Sequence, residues 1–250
     1  ERRQEGIVRL VYERESITVA ELKEILNTSE STIRRDIITL DKEGRLTKVF
    51  GGAIALHPAQ IVNKELSMVQ KQELQTTEKQ AIARYAASLI EPDDCVYLDA
   101  GTTTGWMIEY IRQEKATYIT NALSHAKRLA DKGFSVILIG GEPKSSTDAI
   151  VGGEAVLNLQ KYHFSKGFFG VNGIDRLSGF TTPDVKEAVV KQAAVKNTQP
   201  AHRYFLTTSS KFGEVYAVTF AGFEGGTILT EDNVSEVLPK SIEIINVTQQ

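Results

Sequence analysis

Cysteine is nearly absent from this 250-residue chain: Cys95 stands alone, so neither a disulfide framework nor a cysteine metal cluster can form. Its setting in CVYLD reads as a buried strand residue rather than a reactive thiol. Histidine is almost as scarce. His57, His125, His163 and His202 show none of the i, i+3 or i, i+4 pairing that ligates a metal from one helix, and no metal or other cofactor is expected. No apolar run approaches the roughly 20 residues needed to cross a bilayer. The opening ERRQEGIVRL has no apolar signal region either, so a cytoplasmic protein with no membrane partner is expected. An excess of one charge is also missing. The formal net charge is −3, and residues 1–57 carry ten Lys and Arg against ten Asp and Glu, so any nucleic-acid role must come from where the basic residues sit. Low-complexity and Pro/Gly-rich tracts are lacking, which argues against disorder.

What is present fits a soluble globular protein, 41% hydrophobic and 24% charged, long enough for two domains. Ile7, Leu10 and Val11 share one face of a first helix over Arg2 to Arg14, which Ser16-Ile17-Thr18 interrupts. Thr18 with Glu21 forms a capping box for a second helix, whose stripe is Val19, Leu22, Ile25 and Leu26. After a polar turn at Asn27-Thr28-Ser29 a third helix runs from Glu30 to Glu43, with Ile33, Ile37 and Leu40 inward and Gly44 as terminator. Arg45 to Phe50 and Ala53 to Leu56, joined at Gly51-Gly52, read as a two-stranded wing. This first domain spans 1–57, and 58–76 reads as a partly helical linker. From 77 to 250 short apolar strands alternate with helices, the pattern of a parallel α/β sheet covered on both faces. Its strands are expected at Cys95–Asp99, Thr117–Asn121, Phe134–Gly140, Lys166–Val171, Tyr204–Thr208, Thr227–Thr230 and Ile242–Val247.

With its apolar stripe turned inward, the third helix leaves Ser31, Thr32, Arg35 and Thr39 on the opposite face and Arg34 to one side, with Lys48 on the wing. Arg pairs bidentately with guanine in the major groove, and hydroxyls bond phosphate or base edges. The same arginines can instead pair with Asp36, Asp41 or Glu43 on a solvated face. The string SESTIRRDIITLDKEGRLTKVFGGA resembles the DNA-binding signature of the DeoR family of bacterial regulators over about 50 residues. That resemblance implies a winged helix-turn-helix, operator double-stranded DNA as partner, and repression of a sugar uptake or catabolic operon. Two-fold operators imply a homodimer or homotetramer.

In the second domain, Asp99-Ala100-Gly101-Thr102-Thr103-Thr104-Gly105 joins a strand to a helix expected from about Trp106, a setting in which backbone N–H groups and hydroxyls hold a phosphate. Thr103 or Thr104 acting only as a helix cap is the plainer alternative. Neither a GxxxxGK[ST] nor a GxGxxG motif is present, so a phosphomonoester fits better than a nucleotide. Asp99 is expected to accept from sugar hydroxyls. Thr120-Asn121, Gly140-Gly141, Asn172-Gly173 and the Ser209 to Gly213 loop with Lys211 fall at strand ends, where open α/β sheets bind ligands. Glu187 and Lys191 stand at i, i+4, either in this site or as an exposed ion pair.

Taken in order, LDAGTTT, TNA, GVNGID, GFTTPD and SSKFG resemble the DeoR-family effector domain, whose effectors are phosphorylated sugars or related intermediates. IGGEPKSSTDAIVGGEAV and KGFFGVNGIDRLSGFTTPDVKEA look most like the family's fructose-operon repressors of Gram-positive bacteria, which puts fructose 1-phosphate first among the expected effectors. Thr208 stands where an aspartate is usual. The domain is also similar to ribose-5-phosphate isomerase, but Leu177 to Thr182 replaces the isomerases' lysine-glycine loop, so the resemblance implies binding without catalysis.

Overall fold

The computed structural model describes residues 2–56, 60–62, 74–234, 238–239 and 241–250. The chain divides into two compact units, Glu1–Ala59 and Gln60–Gln250. Most of the expected linker lies outside the described residues.

In the N-terminal unit, α1 (Arg2–Arg14) buries Ile7, Leu10 and Val11, spaced three and one apart on a single face. After β1 (Ser16–Thr18), α2 (Val19–Ile25) begins at the capping box: Thr18 Oγ1 accepts from Glu21 N at 3.2 Å, and Glu21 Oε2 accepts from Thr18 N at 2.8 Å. Ser29 caps α3 (Glu30–Lys42), which buries Ile33, Ile37 and Leu40. The wing strands β2 (Thr47–Val49) and β3 (Gly52–Ile54) are antiparallel. Two expectations need correction. Ser16-Ile17-Thr18 is not merely an interruption but a third strand, with Ile17 opposite Ala53, so the wing sheet has the order β1-β3-β2. A side chain at Gly52 would put Cβ 2.3 Å from Ile17 O, so that pairing needs glycine. Ile25 is exposed rather than part of the α2 stripe, while Leu26, the C-cap just beyond it, packs on the core.

The C-terminal unit opens with β4 (Gln60–Ile61) and α4 (Thr76–Ser88). It continues through β5 (Cys95–Leu98), α5 (Thr102–Tyr110), β6 (Thr117–Thr120), α6 (Leu123–Asp131) and β7 (Ser135–Leu138). There follow β8 (Glu142–Lys144), β9 (Ala149–Val151), α7 (Gly153–Leu159) and β10 (Lys166–Gly170). Then come β11 (Gly173–Asp175), β12 (Gly179–Thr182), α8 (Val185–Lys196) and β13 (Arg203–Leu206). The chain closes with β14 (Glu214–Val215), β15 (Val218–Ala221), β16 (Thr227–Thr230) and β17 (Glu243–Asn246).

The main sheet has seven parallel strands in the order β17-β16-β13-β10-β5-β6-β7. Period-two alternation sorts its side chains into two cores. Val96, Leu98, Tyr118, Phe168, Leu206 and Leu229 pack with Ile82, Ala83, Ala86, Met107 and Ile108 of α4 and α5. The residues between them, Tyr97, Ile119, Phe169, Phe205 and Ile228, pack on the other face with α7 and α8. Both faces being covered explains why these strands read as apolar runs.

A smaller antiparallel sheet, β11-β12-β15, lies on the second core, where Phe180 stacks on Phe205 at 3.9 Å between centroids. Sequence reading assigned no strand here, because GID, GFTT and VTFA are interrupted by glycine and threonine and form no apolar run. From β5 the strand order runs one way through β6 and β7 and the other way through β10, so the crevice at the carboxyl ends of β5 and β10 is the sheet's switch point.

Candidate functional sites: a reading helix and a ligand cleft

On α3 the inward stripe leaves Ser31, Arg34 and Arg35 exposed and Thr32 and Thr39 half-buried, while Lys48 is exposed on the wing. The helix start is organised by Ser29, whose Oγ lies 3.0 Å from Ser31 Oγ and 2.8 Å from Thr32 Oγ1. Arg34 is braced within the helix by Glu30 at 2.6 Å, not by the acids that sequence reading offered it. Those acids have other work. Asp36 is buried and held by Arg3 Nε at 2.5 Å, and Asp41 Oδ1 accepts from Lys48 N at 2.9 Å, which ties α3 to the wing. Arg35 makes no ion pair among the described residues, and its backbone carbonyl accepts from Thr39 Oγ1 at 3.1 Å. Hydroxyls and guanidinium groups thus stand outward along one helix face beside a basic wing. Phe50 stands fully exposed at the wing turn, which sequence reading left unremarked.

The cleft of the C-terminal unit encloses about 1020 Å³, mouth included, at the switch point. It brings together Asp99, Gly101, Thr102, Thr103, Asn121, Asn172, Glu187, Lys191 and Lys211 from five separate segments. Thr104, Thr120 and Gly141 do not line it. Thr120 is fully buried, with Oγ1 accepting from Ala122 N at 3.1 Å, and Gly141 packs against Val151. Thr104 is also fully buried, donating to Asp99 Oδ1 at 2.8 Å and to Gly101 O at 2.7 Å.

The helix after β5 starts at Thr102, earlier than expected, with Gly101 as its N-cap and no side-chain cap bond. Neither Thr103 nor Thr104 caps it. The first-turn N–H groups of α5 have no intrahelical acceptor, and the positive helix end meets the cleft at Thr102 and Thr103. A Cβ at position 101 would come 2.9 Å from Asp99 Oδ1 and 3.3 Å from Gly170 Cα, so the turn takes glycine.

Asp99 does a different job from the one expected of it. Only 1% exposed, its carboxylate accepts from Gly101 N at 2.9 Å, Gly170 N at 2.7 Å, Thr104 Oγ1 and Lys191 Nζ. With these donors its oxygens are spent on joining the β5 and β10 ends rather than on sugar hydroxyls. Lys191 Nζ donates also to Gly170 O at 2.7 Å. Glu187, one turn earlier, turns to Lys144 at 2.9 Å and Thr147 at 2.5 Å, so Glu187 and Lys191 are not an exposed i, i+4 pair. Lys144 also meets Asp184, the α8 cap: burial pushes that carboxyl up, but the Glu187 backbone N–H and then the Lys144 hydrogen bond and charge hold it below the usual range.

Asn121 is locked between Tyr97 and Ile150, and Asn172 accepts from Thr182 at 3.1 Å. Behind the α5 start, His125 is buried with Nδ1 unpartnered, and burial lowers its pKa to about 4.

Sequence reading missed Gln75, Lys79, Thr147, Thr207 and Tyr216 in the lining and gave Thr208 only as a departure from family pattern. Lys79 left a trace: it shares the buried α4 stripe with Ile82, Ala83 and Ala86, an odd place for lysine unless a polar surface faces it. Among the described residues no group of three His, Cys, Asp or Glu is placed to hold a metal, and no helix is long and apolar enough to cross a membrane.

Residues 3–59 match the family model for the DeoR-like helix-turn-helix domain, and residues 74–233 match that for the DeoR C terminal sensor domain. The chain is 42% identical over 231 residues to the uncharacterized HTH-type transcriptional regulator FruR of Bacillus subtilis (strain 168), covering 92% of this chain and 90% of that one. It is 36% identical to the lactose phosphotransferase system repressor of Staphylococcus aureus (strain N315), over 96% of this chain and 95% of that one. Among solved structures, ribose 5 phosphate isomerase A from Neisseria gonorrhoeae aligns with a TM-score of 0.39 at 10% identity, over 54% of this chain and 52% of that one. With its helix-turn-helix and its sensor domain both matched, the chain belongs to the DeoR family of transcriptional regulators.

Proposed function

We propose that this regulator represses a sugar uptake or catabolic operon, gripping operator DNA with α3 and the wing and letting go when a phosphorylated sugar enters the cleft. Ser31, Thr32, Arg34, Arg35, Thr39 and Lys48 form the DNA face. The observation that carries the sensing half is the uncapped start of α5, which meets the cleft at Gly101, Thr102 and Thr103 with Lys79 and Lys211 also in the lining. A helix start with lysines nearby is a phosphate site. The amides and hydroxyls of Asn172, Thr207 and Thr208 supply partners for sugar hydroxyls, and fructose 1-phosphate is the first effector to try. The name of the Staphylococcus aureus relative, a lactose phosphotransferase system repressor, favours a phosphotransferase-linked sugar. A homodimer or homotetramer matches a two-fold operator.

Release requires the ligand to prefer the conformation that holds DNA poorly, since equal affinity for both shifts nothing. The test is a gel shift of the full chain on its own upstream region with increasing fructose 1-phosphate. Wild type releases the DNA. Thr102→Glu places a carboxylate at the helix start, where an acid is tolerated by the helix but repels phosphate, and the variant holds the DNA at every wild-type releasing concentration. Release by Thr102→Glu at the wild-type concentration would move the phosphate elsewhere.

A further inference from the structure

The chain enters the C-terminal unit beside its cleft and is fastened there twice. Gln60 and Ile61 of β4 pair in parallel with Glu214 and Val215 of β14, and Val62 N donates to Val215 O at 2.9 Å. Farther on, Gln75 reaches the loop just ahead of β14. Its Oε1 accepts from Thr208 Oγ1 at 2.8 Å and Ser210 Oγ at 3.2 Å, and its Nε2 lies 3.1 Å from Ser210 Oγ. Gln75, Thr208 and Lys211 all line the cleft.

Gln75 adopts φ 52° and ψ 46°, the left-handed region that a residue with a side chain enters only when its surroundings hold it there. It stands at the N-cap of α4, yet its side chain makes no cap bond. The carboxamide is committed instead to Thr208 and Ser210. Thr208 lines the cleft and Ser210 is exposed just beside it, so the oxygen that accepts from Thr208 there occupies the place of a ligand oxygen.

We infer that Gln75 is an internal competitor for the cleft's ligand: a sugar phosphate that takes the Thr208 hydroxyl displaces Gln75 and loosens the segment leading in from the DNA-binding unit. The inference rests on the sugar-phosphate reading of the cleft and supplies its regulation. Coupling follows from chain connectivity. The loop from Thr208 to Val215 holds the incoming chain at Gln60–Val62 and again at Gln75, and Lys211 lies between those two anchor points. A ligand that rearranges this loop therefore acts on both.

Two substitutions separate competition from a merely structural role. Gln75→Ala removes the competing oxygen. Gln75→Glu keeps acceptor oxygens for Thr208 and Ser210 and adds a charge that opposes phosphate. In calorimetric titration of the full chain with fructose 1-phosphate, Gln75→Ala binds several-fold to about tenfold tighter, the net worth of about one hydrogen bond, and Gln75→Glu binds more weakly than wild type. A structural Gln75 weakens binding in both variants. Amide exchange without sugar gives the second readout, faster at 60–62 and 74–76 in Gln75→Ala and near wild type in Gln75→Glu. Weaker binding by Gln75→Ala, or unchanged exchange in it, overturns the inference. If fructose 1-phosphate binds none of the three proteins, the sugar reading falls and the inference, which rests on it, falls with it; binding by all three without tightening in Gln75→Ala sinks the inference alone.

Discussion

On α3 the arginines stand outside the fold. Arg34 is braced by Glu30 with both side chains more than half exposed, and the buried carboxylate beneath them, Asp36, is held by an Arg3 side chain that is itself 47% exposed. In the cleft the arrangement is reversed. Lys191 and Asp99 have side-chain exposures of 11% and 1%, and both are committed to the backbone at the β5 and β10 ends as well as to each other. The reading helix can therefore lose a charge to water at little cost, since exposed pairs are worth about 0–1 kcal/mol. The cleft cannot, because a largely buried charge that loses its partner regains little solvation. Binding and stability should separate on α3 and travel together in the cleft.

The sharpest way to break that contrast is at Asp99. Asp99→Ala leaves the largely buried Lys191 without its carboxylate and should cost about 3–5 kcal/mol of unfolding free energy. Urea unfolding followed by the fluorescence of Trp106, the single tryptophan and a residue of α5, reads the C-terminal unit directly. Replacing both partners, Asp99→Leu with Lys191→Met, should cost less than Asp99→Ala alone. A loss below about 1 kcal/mol for Asp99→Ala would place the pair in the exposed class and erase the difference between the regions.

His125 extends the contrast to pH. Burial holds it neutral, the charges of Asp99 and Asp148 favour its protonation, that of Arg128 opposes it, and its pKa falls from 6.5 to about 4. The fold therefore prefers the neutral ring. The stability it contributes is fully present above pH 6.5 and is lost as pH falls from there toward 4. At about 1.4 kcal/mol per unit the whole effect approaches roughly 3 kcal/mol. The wild type minus His125→Leu difference isolates this from other carboxylates: it should shrink between pH 6.5 and 4.5. A constant difference over that range would mean that the ring does not titrate as placed.

How much of each region was readable follows from the same contrast. The α3 face was legible because its residues lie within nine positions, and a helical period alone sorts Ile33, Ile37 and Leu40 from Ser31, Arg35 and Thr39. Strand ends were legible too, since buried parallel strands announce themselves as apolar runs and ligands bind where they stop. Partner choice in the cleft was not. Asp99 and Lys191 are 92 positions apart, whereas Glu187 at i, i+4 offered Lys191 a local partner that tertiary structure overrode. Gln75 carried no signal at all, because its role depends on a loop 133 residues away. The short antiparallel sheet escaped for a related reason: its strands GID, GFTT and VTFA are interrupted by glycine and threonine and hold no apolar run to read.

On the exposed face of α3 binding, and not folding, is at stake. Arg35→Ala should weaken operator binding by about 1–3 kcal/mol if the guanidinium reads a base, and relax preference at one base pair. Its effect on unfolding should stay within about 0.5 kcal/mol, as expected of an exposed residue with no ion pair to lose. Arg34→Ala should discriminate bases less, because Arg34 must first leave Glu30 at 2.6 Å. Lys48→Ala, on the wing, should weaken all sequences alike and lower the salt slope by about 1. Gel shifts on the operator and its single-base variants at two salt concentrations distinguish these outcomes. Equal losses on every sequence for Arg35→Ala would reduce it to a phosphate contact and leave base reading to Ser31, Thr32 and Thr39.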